Sequence, residues 1–192
     1  MKPVERSELL DLGAYEGIRE HFRRRIIELK RHRRVPLGPN MTALFENHDT
    51  VLHQIQEMLR TERITQESAI EHELSTYNQL IPGERELSAT LFIEYPDRAE
   101  RDRMLVALAG VEDRFYLWVE GERLAAVGEA RGARTDRTTA VHYLKVPLSE
   151  TAFAALKQGR ASVRLGVEHP SYTAESELGE ATRRALAEDL RG

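Results

Sequence analysis

The sequence predicts an α+β fold in which N-terminal helices pack on a mostly antiparallel sheet with crossover helices. Three observations carry this. Residues 45–64, FENHDTVLHQIQEMLRTERI, space their apolar side chains as one face of a helix. The composition changes after Pro82-Gly83, where short runs such as SATLFIEY are rich in β-formers and bounded by turn residues. The 192 residues, 41% of them apolar, suffice for one domain with a sizeable core. It divides into a helical part, 1–81, and a sheet-rich part, 82–192.

The N-terminal elements follow from periodicity. After a lead-in that turns at Gly13, a helix is expected over 14–32, burying Tyr15, Ile18, Phe22, Ile26 and Leu29. Pro36, Gly38 and Pro39 break the chain, and MTALFE reads as a short strand. Asn47 or Asp49 can cap the next helix. Val51, Leu52, Ile55, Met58 and Leu59 form its stripe, with His53, Gln56, Glu57 and Arg60 opposite. Glu62 falls about 20° from Val51 and Ile55 on the helical wheel. A carboxylate there needs a cation, so a buried ion pair of Glu62 with Arg25 or Arg63 is expected. Thr65 opens a second helix, 66–80, with Ile70, Leu74 and Tyr77 inward.

From Ser88 the expected order is strand, helix, strand, strand, strand, helix, strand. That order contains ferredoxin-like elements with one strand added. Asp97 and Glu100 suit a capping box for the helix to Ala109. Gly121 centres a hairpin between 114–119 and 123–127. Residues 128–139 are the most polar stretch and read as a loop, with Gly132 a turn glycine. Strands follow at 140–146 and 161–167, separated by a helix that Ser149 caps. Glu168 to Tyr172 reads as a loop, and 178–190 as a last helix.

Composition excludes several classes of function. No cysteine is present, which removes disulfides, thiolate zinc sites, cysteine-ligated iron–sulfur clusters and thiol chemistry. The first residues lack the apolar core of a signal peptide, and no run approaches the ~20 apolar residues of a membrane span. A cytoplasmic protein with no membrane partner is expected. The net charge of −4 disfavours nucleic acid. Residues 19–34 nonetheless hold eight Lys and Arg against two Glu. Arg31, His32, Arg33 and Arg34 are expected to form an exposed anion patch at a helix end, where the macrodipole favours cations.

No nucleotide cradle, nucleophile elbow, HExxH motif or di-iron Glu-x-x-His pair occurs. Two constellations remain. His53 and Glu57, four apart on a helix, together with His142 and His169, carry ligand types that suit a mononuclear metal. The alternative for His53–Glu57 is an exposed pair worth roughly 0.2–0.5 kcal/mol. The second constellation is a cleft between the helix within residues 45–64 and the sheet. It would be rimmed by Glu57, Arg60, Glu94, His142 and His169, which could hold a metal or a small anion.

Seven stretches taken in order, RRVPLGPN, FEN, QIQEMLRTER, YNQLIPG, ATLFIEY, VHYLKVPL and GVEHPSY, resemble one uncharacterised bacterial family. It is the domain of unknown function family numbered 3501. The resemblance spans nearly the whole chain. It implies a bacterial accessory or binding protein acting with a redox protein partner, because such proteins are often encoded beside rubrerythrin-like and iron–sulfur oxidoreductase proteins. It supplies no catalytic residue. The reading of the residues themselves leaves a metal-binding protein or metal-dependent enzyme as the alternative.

Overall fold

The structure, a computed structural model, describes residues 1–128 and 136–191. Gly132 and most of the polar stretch around it lie outside the described residues. A 3-10 turn at Arg6–Glu8 leads into α1 (Leu12–Arg31), whose first turn is capped by Asp11. Two short strands follow, β1 (Arg34–Pro36) and β2 (Met41–Phe45). The organising helix is α2 (His48–Glu62). Asn47 caps it: its side chain accepts from the Thr50 amide, while the Thr50 hydroxyl accepts from the Asn47 amide. This satisfies two groups that a helix start leaves open. At the other end Arg63 turns left-handed, with φ of 55°.

Next come α3 (Glu67–Asn78), β3 (Glu86–Ile93), α4 (Arg98–Ala107), β4 (Phe115–Val119) and β5 (Glu122–Ala125). The chain closes with β6 (Val127–Gly128), β7 (Val141–Pro147), α5 (Glu150–Lys157), β8 (Val163–His169), β9 (Tyr172–Glu177) and α6 (Glu180–Asp189). The fold is α+β, and every strand pair among the described residues is antiparallel.

The strands form two sheets rather than one. Five run in the order β1-β2-β3-β7-β6 and four in the order β5-β4-β8-β9. After Ala125 the chain leaves one sheet, and Val127 pairs with Lys145 of the other. Alternation along the strands explains the layering. Leu87, Ala89, Leu91 and Ile93 of β3 share one apolar cluster with Leu117 of β4 and Val163, Leu165 and Val167 of β8. Leu105 of α4, Leu156 of α5 and Leu186 of α6 belong to the same cluster. The alternate residues of β3, Ser88 and Thr90, point the other way and pair in register with Lys145 and Tyr143.

That second face meets the N-terminal helices. Val51, Ile55 and Leu59 of α2 gather with Ile70 and Leu74 of α3 and Val4 and Leu9 of the lead-in, and Tyr143 packs against them. Polar side chains complete the junction. Both carboxylate oxygens of the buried Glu46 accept hydroxyl bonds, from Thr50 and Thr90, each at 2.5 Å. The Lys145 ammonium donates to the Ile81 carbonyl at 2.8 Å.

After the turn expected at Glu168–Tyr172 the structure adds a strand where none was assigned. Residues 172–177, YTAESE, hold few apolar residues, yet they pair with β8 from Arg164 to His169. Their support is tertiary. The Tyr172 hydroxyl donates to the Leu37 carbonyl at 2.6 Å and accepts from the Asn40 amide at 3.1 Å. Gly38, with φ of 67°, leaves the space that this hydroxyl fills.

Candidate functional site

The polar side of α2 is covered by α1, and this changes what its residues can do. Glu57 receives the Tyr15 hydroxyl at 2.7 Å and two bonds from Arg19, at 2.8 and 3.0 Å. Arg60 adds a contact at 3.6 Å. The Arg19 hydrogen bonds bring the Glu57 carboxyl down to about 2 against the desolvation that opposes them, and the Tyr15 hydroxyl helps. Burial raises the Tyr15 phenol, and its bond to Glu57 raises it further. Gln56, expected outward, is only 2% exposed and exchanges two 3.0 Å bonds with the backbone of Leu10.

His53 sits in the same interface, its ring 5.8 Å from that of Phe22. Neither ring nitrogen reaches solvent or a hydrogen-bond partner. Burial, and then the nearby Lys30 cation, brings this imidazole from 6.5 to about 4. Both rings are therefore structural neighbours inside a helix pair, and the Glu57 oxygens are fully occupied.

The remaining expected residues are scattered. Glu94 lies beyond β3 and accepts the Thr42 hydroxyl at 2.7 Å. His142 pairs in register with Leu91, on the sheet face opposite to α2. Its Nε2 lies 2.8 Å from the Thr138 hydroxyl and 2.9 Å from the Thr139 carbonyl, and burial lowers its pKa. So the cleft expected between α2 and the sheet does not gather its five residues; only Glu57 and Arg60 meet. Among the described residues no three His, Asp or Glu side chains converge as metal ligands.

The expected ion pair is also replaced. Glu62 is exposed, because the stripe ends at Leu59 and the last turn of α2 projects past its neighbours. Arg25 instead reaches Asp49 at 2.7 Å, and Arg63 forms the exposed end of the helix. Among the described residues, a charge that is buried against an opposite charge is Arg33. Only 4% of it is exposed, and its guanidinium binds Asp189 of α6 at 2.6 and 2.7 Å. The patch of Arg31, His32, Arg33 and Arg34 is thus broken, with Arg33 turned inward while Arg31 meets Glu28 at 3.1 Å. Strand geometry explains this: Arg33 precedes β1 on the side of the buried Val35, whereas Arg34 alternates outward.

His169 leads to a different place. Its Nδ1 accepts from the Ser171 amide at 3.1 Å, so the proton resides on Nε2, which donates to the Ala109 carbonyl at 3.2 Å. Both nitrogens are used to hold the β8–β9 turn. The ring forms one wall of a groove of about 710 Å³ at the end of the four-stranded sheet. Asp113, Arg114, Tyr116, Arg123, Glu168 and Thr173 also line it.

The floor of that groove is built by alternation in β4. Phe115, Leu117 and Val119 enter the core, which leaves Tyr116 and Trp118 on the outer face. The Tyr116 ring lies across β8 at Gly166, where a Cβ would come within 2.2 Å of it. Its hydroxyl donates to Glu175 at 3.1 Å, and Arg164 holds Glu175 at 2.6 Å. Burial, with help from Glu175, raises the Tyr116 phenol. Arg123 extends over the ring, 3.9 Å from its centroid, to reach Glu168 at 2.8 Å. Arg114 and Asp113 are exposed, and neither side chain has a partner among the described residues. The sequence reading reached His169 but missed Arg114, Tyr116 and Arg123. Their signal was the run FYLWV, which is apolar at both parities and so hides which side faces water.

Among the described residues no helix is long and apolar enough to cross a membrane. No curated protein matches the chain. A crystal structure of a protein of unknown function from Burkholderia pseudomallei matches it with a TM-score of 0.93 at 36% identity. That match covers 98% of this chain and 100% of the other. A family model, described as a protein of unknown function (DUF3501), matches residues 3–190. The chain belongs to the DUF3501 family.

Proposed function

We propose that this is an accessory binding protein that performs no chemistry of its own and takes its ligand in the groove beside Tyr116. The observation that carries the reading is the pairing of that hollow with two charged side chains, Arg114 and Asp113, that have no partner among the described residues. Three of the residues that the sequence offered for metal binding or chemistry are engaged or enclosed. Glu57 is bound by Arg19 and Tyr15, His169 by two backbone groups, and His53 is shut between helices. A hollow of this volume is in the range of small-ligand sites.

The family resemblance supports action beside a redox protein in the bacterial cytoplasm, with this chain as the non-redox member. Titration of the isotopically labelled chain with small charged molecules tests the groove. Shifts confined to the amides of Asp113–Tyr116 and Glu168–Thr173 are expected, and shifts spread over α1 and α2 instead would refute it. The metal reading is tested by elemental analysis of protein purified without an affinity tag or added metal. Less than a tenth of an equivalent of any transition metal, taken as about background, is expected, since no three ligands converge among the described residues.

A further inference from the structure

We propose that the groove is a site for a small zwitterion of the amino-acid class, bearing one carboxylate and one ammonium. This rests on the reading of the groove as a binding site and adds the chemistry of its ligand. Two cations, Arg114 and Arg123, and two anions, Asp113 and Glu168, line the same hollow. Their charges cancel, so neither a simple anion nor a simple cation is complementary to the whole set. A molecule with both charges is. Guanidinium groups offer paired donors to a carboxylate, and carboxylates accept from an ammonium.

All four charges are within reach of a ligand. Among the described residues Arg114 and Asp113 have no side-chain partner to give up. Arg123 and Glu168 hold each other, but 46% and 61% of their side chains remain exposed. Such surface pairs are weakly held and exchange readily. Glu168 on Arg123 therefore acts as an internal stand-in for the ligand carboxylate. An incoming carboxylate on Arg123 would free Glu168 to take the ammonium.

The walls give the ligand's remaining atoms a place. Arg123 is stacked on Tyr116 by one face, which leaves its other face for a planar group. Tyr116 itself is pinned by Glu175 and by its seat over Gly166, so this platform is preorganised. Pro170 and Ala125 add apolar surface beside it. An aromatic amino acid fits this set of contacts better than a small polar one.

The test compares four probes on the full ¹⁵N-labelled chain: L-phenylalanine, 3-phenylpropionate, phenethylamine and inorganic phosphate. The second lacks the ammonium and the third the carboxylate. Phenylalanine is expected to shift the amides of Arg114 and Glu168–Thr173 and to bind at least about tenfold more tightly than either truncated probe, since each lost partner leaves charges unanswered. Arg114→Ala and Asp113→Asn should each weaken it by about tenfold or more with the melting temperature unchanged, as both residues are surface sites. Equal binding of 3-phenylpropionate or phosphate at the same amides would overturn the zwitterion class while leaving the groove a binding site. Equal binding of phenethylamine would do the same. Groove amides unmoved by all four probes would overturn both readings.

Discussion

His53 shows what enclosure does to a single side chain. A neutral imidazole carries one donor and one acceptor, and here neither is answered. In the unfolded chain the ring takes its proton as pH falls through 6.5, whereas in the fold it does so only near 4. Between those values the unfolded state binds more protons, so stability falls as pH drops from 6.5 towards 4. His53→Phe removes both unanswered atoms and keeps a ring against Phe22. It should raise the urea midpoint and flatten the pH dependence of stability in that window; an unchanged slope would show that His53 is not its source. Glu57 acts lower. Its folded value of about 2 lies below the ordinary 4.5, so its contribution is full above 4.5 and is lost between 4.5 and 2. Gly166 makes a steric prediction. Gly166→Ala must displace the Tyr116 ring. It should cost about 1–3 kcal/mol, as overpacking does, and remove the Tyr116–Glu175 bond. Thermal unfolding beside the Tyr116→Phe variant separates these effects. None of these three environments could be read from residue type. The helical wheel identified the polar side of α2, but that α1 would cover it depended on long-range packing.

At the level of elements, the organising helix was the most legible part. Its stripe, its Asn47 cap and its stop near Arg63 all follow from local rules, and local rules govern helix ends. β9 was illegible because its stability comes from Leu37 and Asn40, more than a hundred residues earlier. The junction of β1 with α6 was hidden for the same reason: no local rule pairs Arg33 with Asp189. That pair staples the last helix to the first strand, and both side chains are largely removed from water, at 4% and 11% exposure. Asp189→Asn leaves a buried guanidinium unpaired and should cost about 3–5 kcal/mol. Arg33→Met with Asp189→Leu should recover most of that loss, because an apolar pair of similar size needs no charge partner. Urea unfolding of the wild type and both variants checks it. A loss under about 0.5 kcal/mol in Asp189→Asn, the size of a surface change, would mean that the pair bears no structural weight.

For the whole molecule, the α+β class and the helices against a sheet were legible, while the division into two sheets was not. The strand runs fix which residues alternate, but which strand pairs with which depends on contacts far apart in sequence. The layering that results predicts an order of local stability. The apolar residues of α2 and α3 join a shared cluster, and those of β3, β4 and β8 join the other. α1 touches only the edge of the helix cluster, through Leu12: of its 20 residues only Tyr15 and Ile26 are buried, and Ile18 and Ile27 are 47% and 48% exposed. What holds α1 is mainly polar, through Arg19 and Tyr15 on Glu57, Arg25 on Asp49, and Phe22 on His53. Segments with few buried apolar contacts open at lower free energy than the core. Amide hydrogen exchange should therefore find Phe22–Leu29 exchanging at least about tenfold faster than Ile55–Leu59 of α2, a gap of roughly 1.4 kcal/mol in opening free energy. Glu57→Gln should widen the gap by weakening the hold on Arg19, and it should do so without altering protection in β3 or β4. Equal protection of the two helices would place α1 within the cooperative core and contradict this ordering.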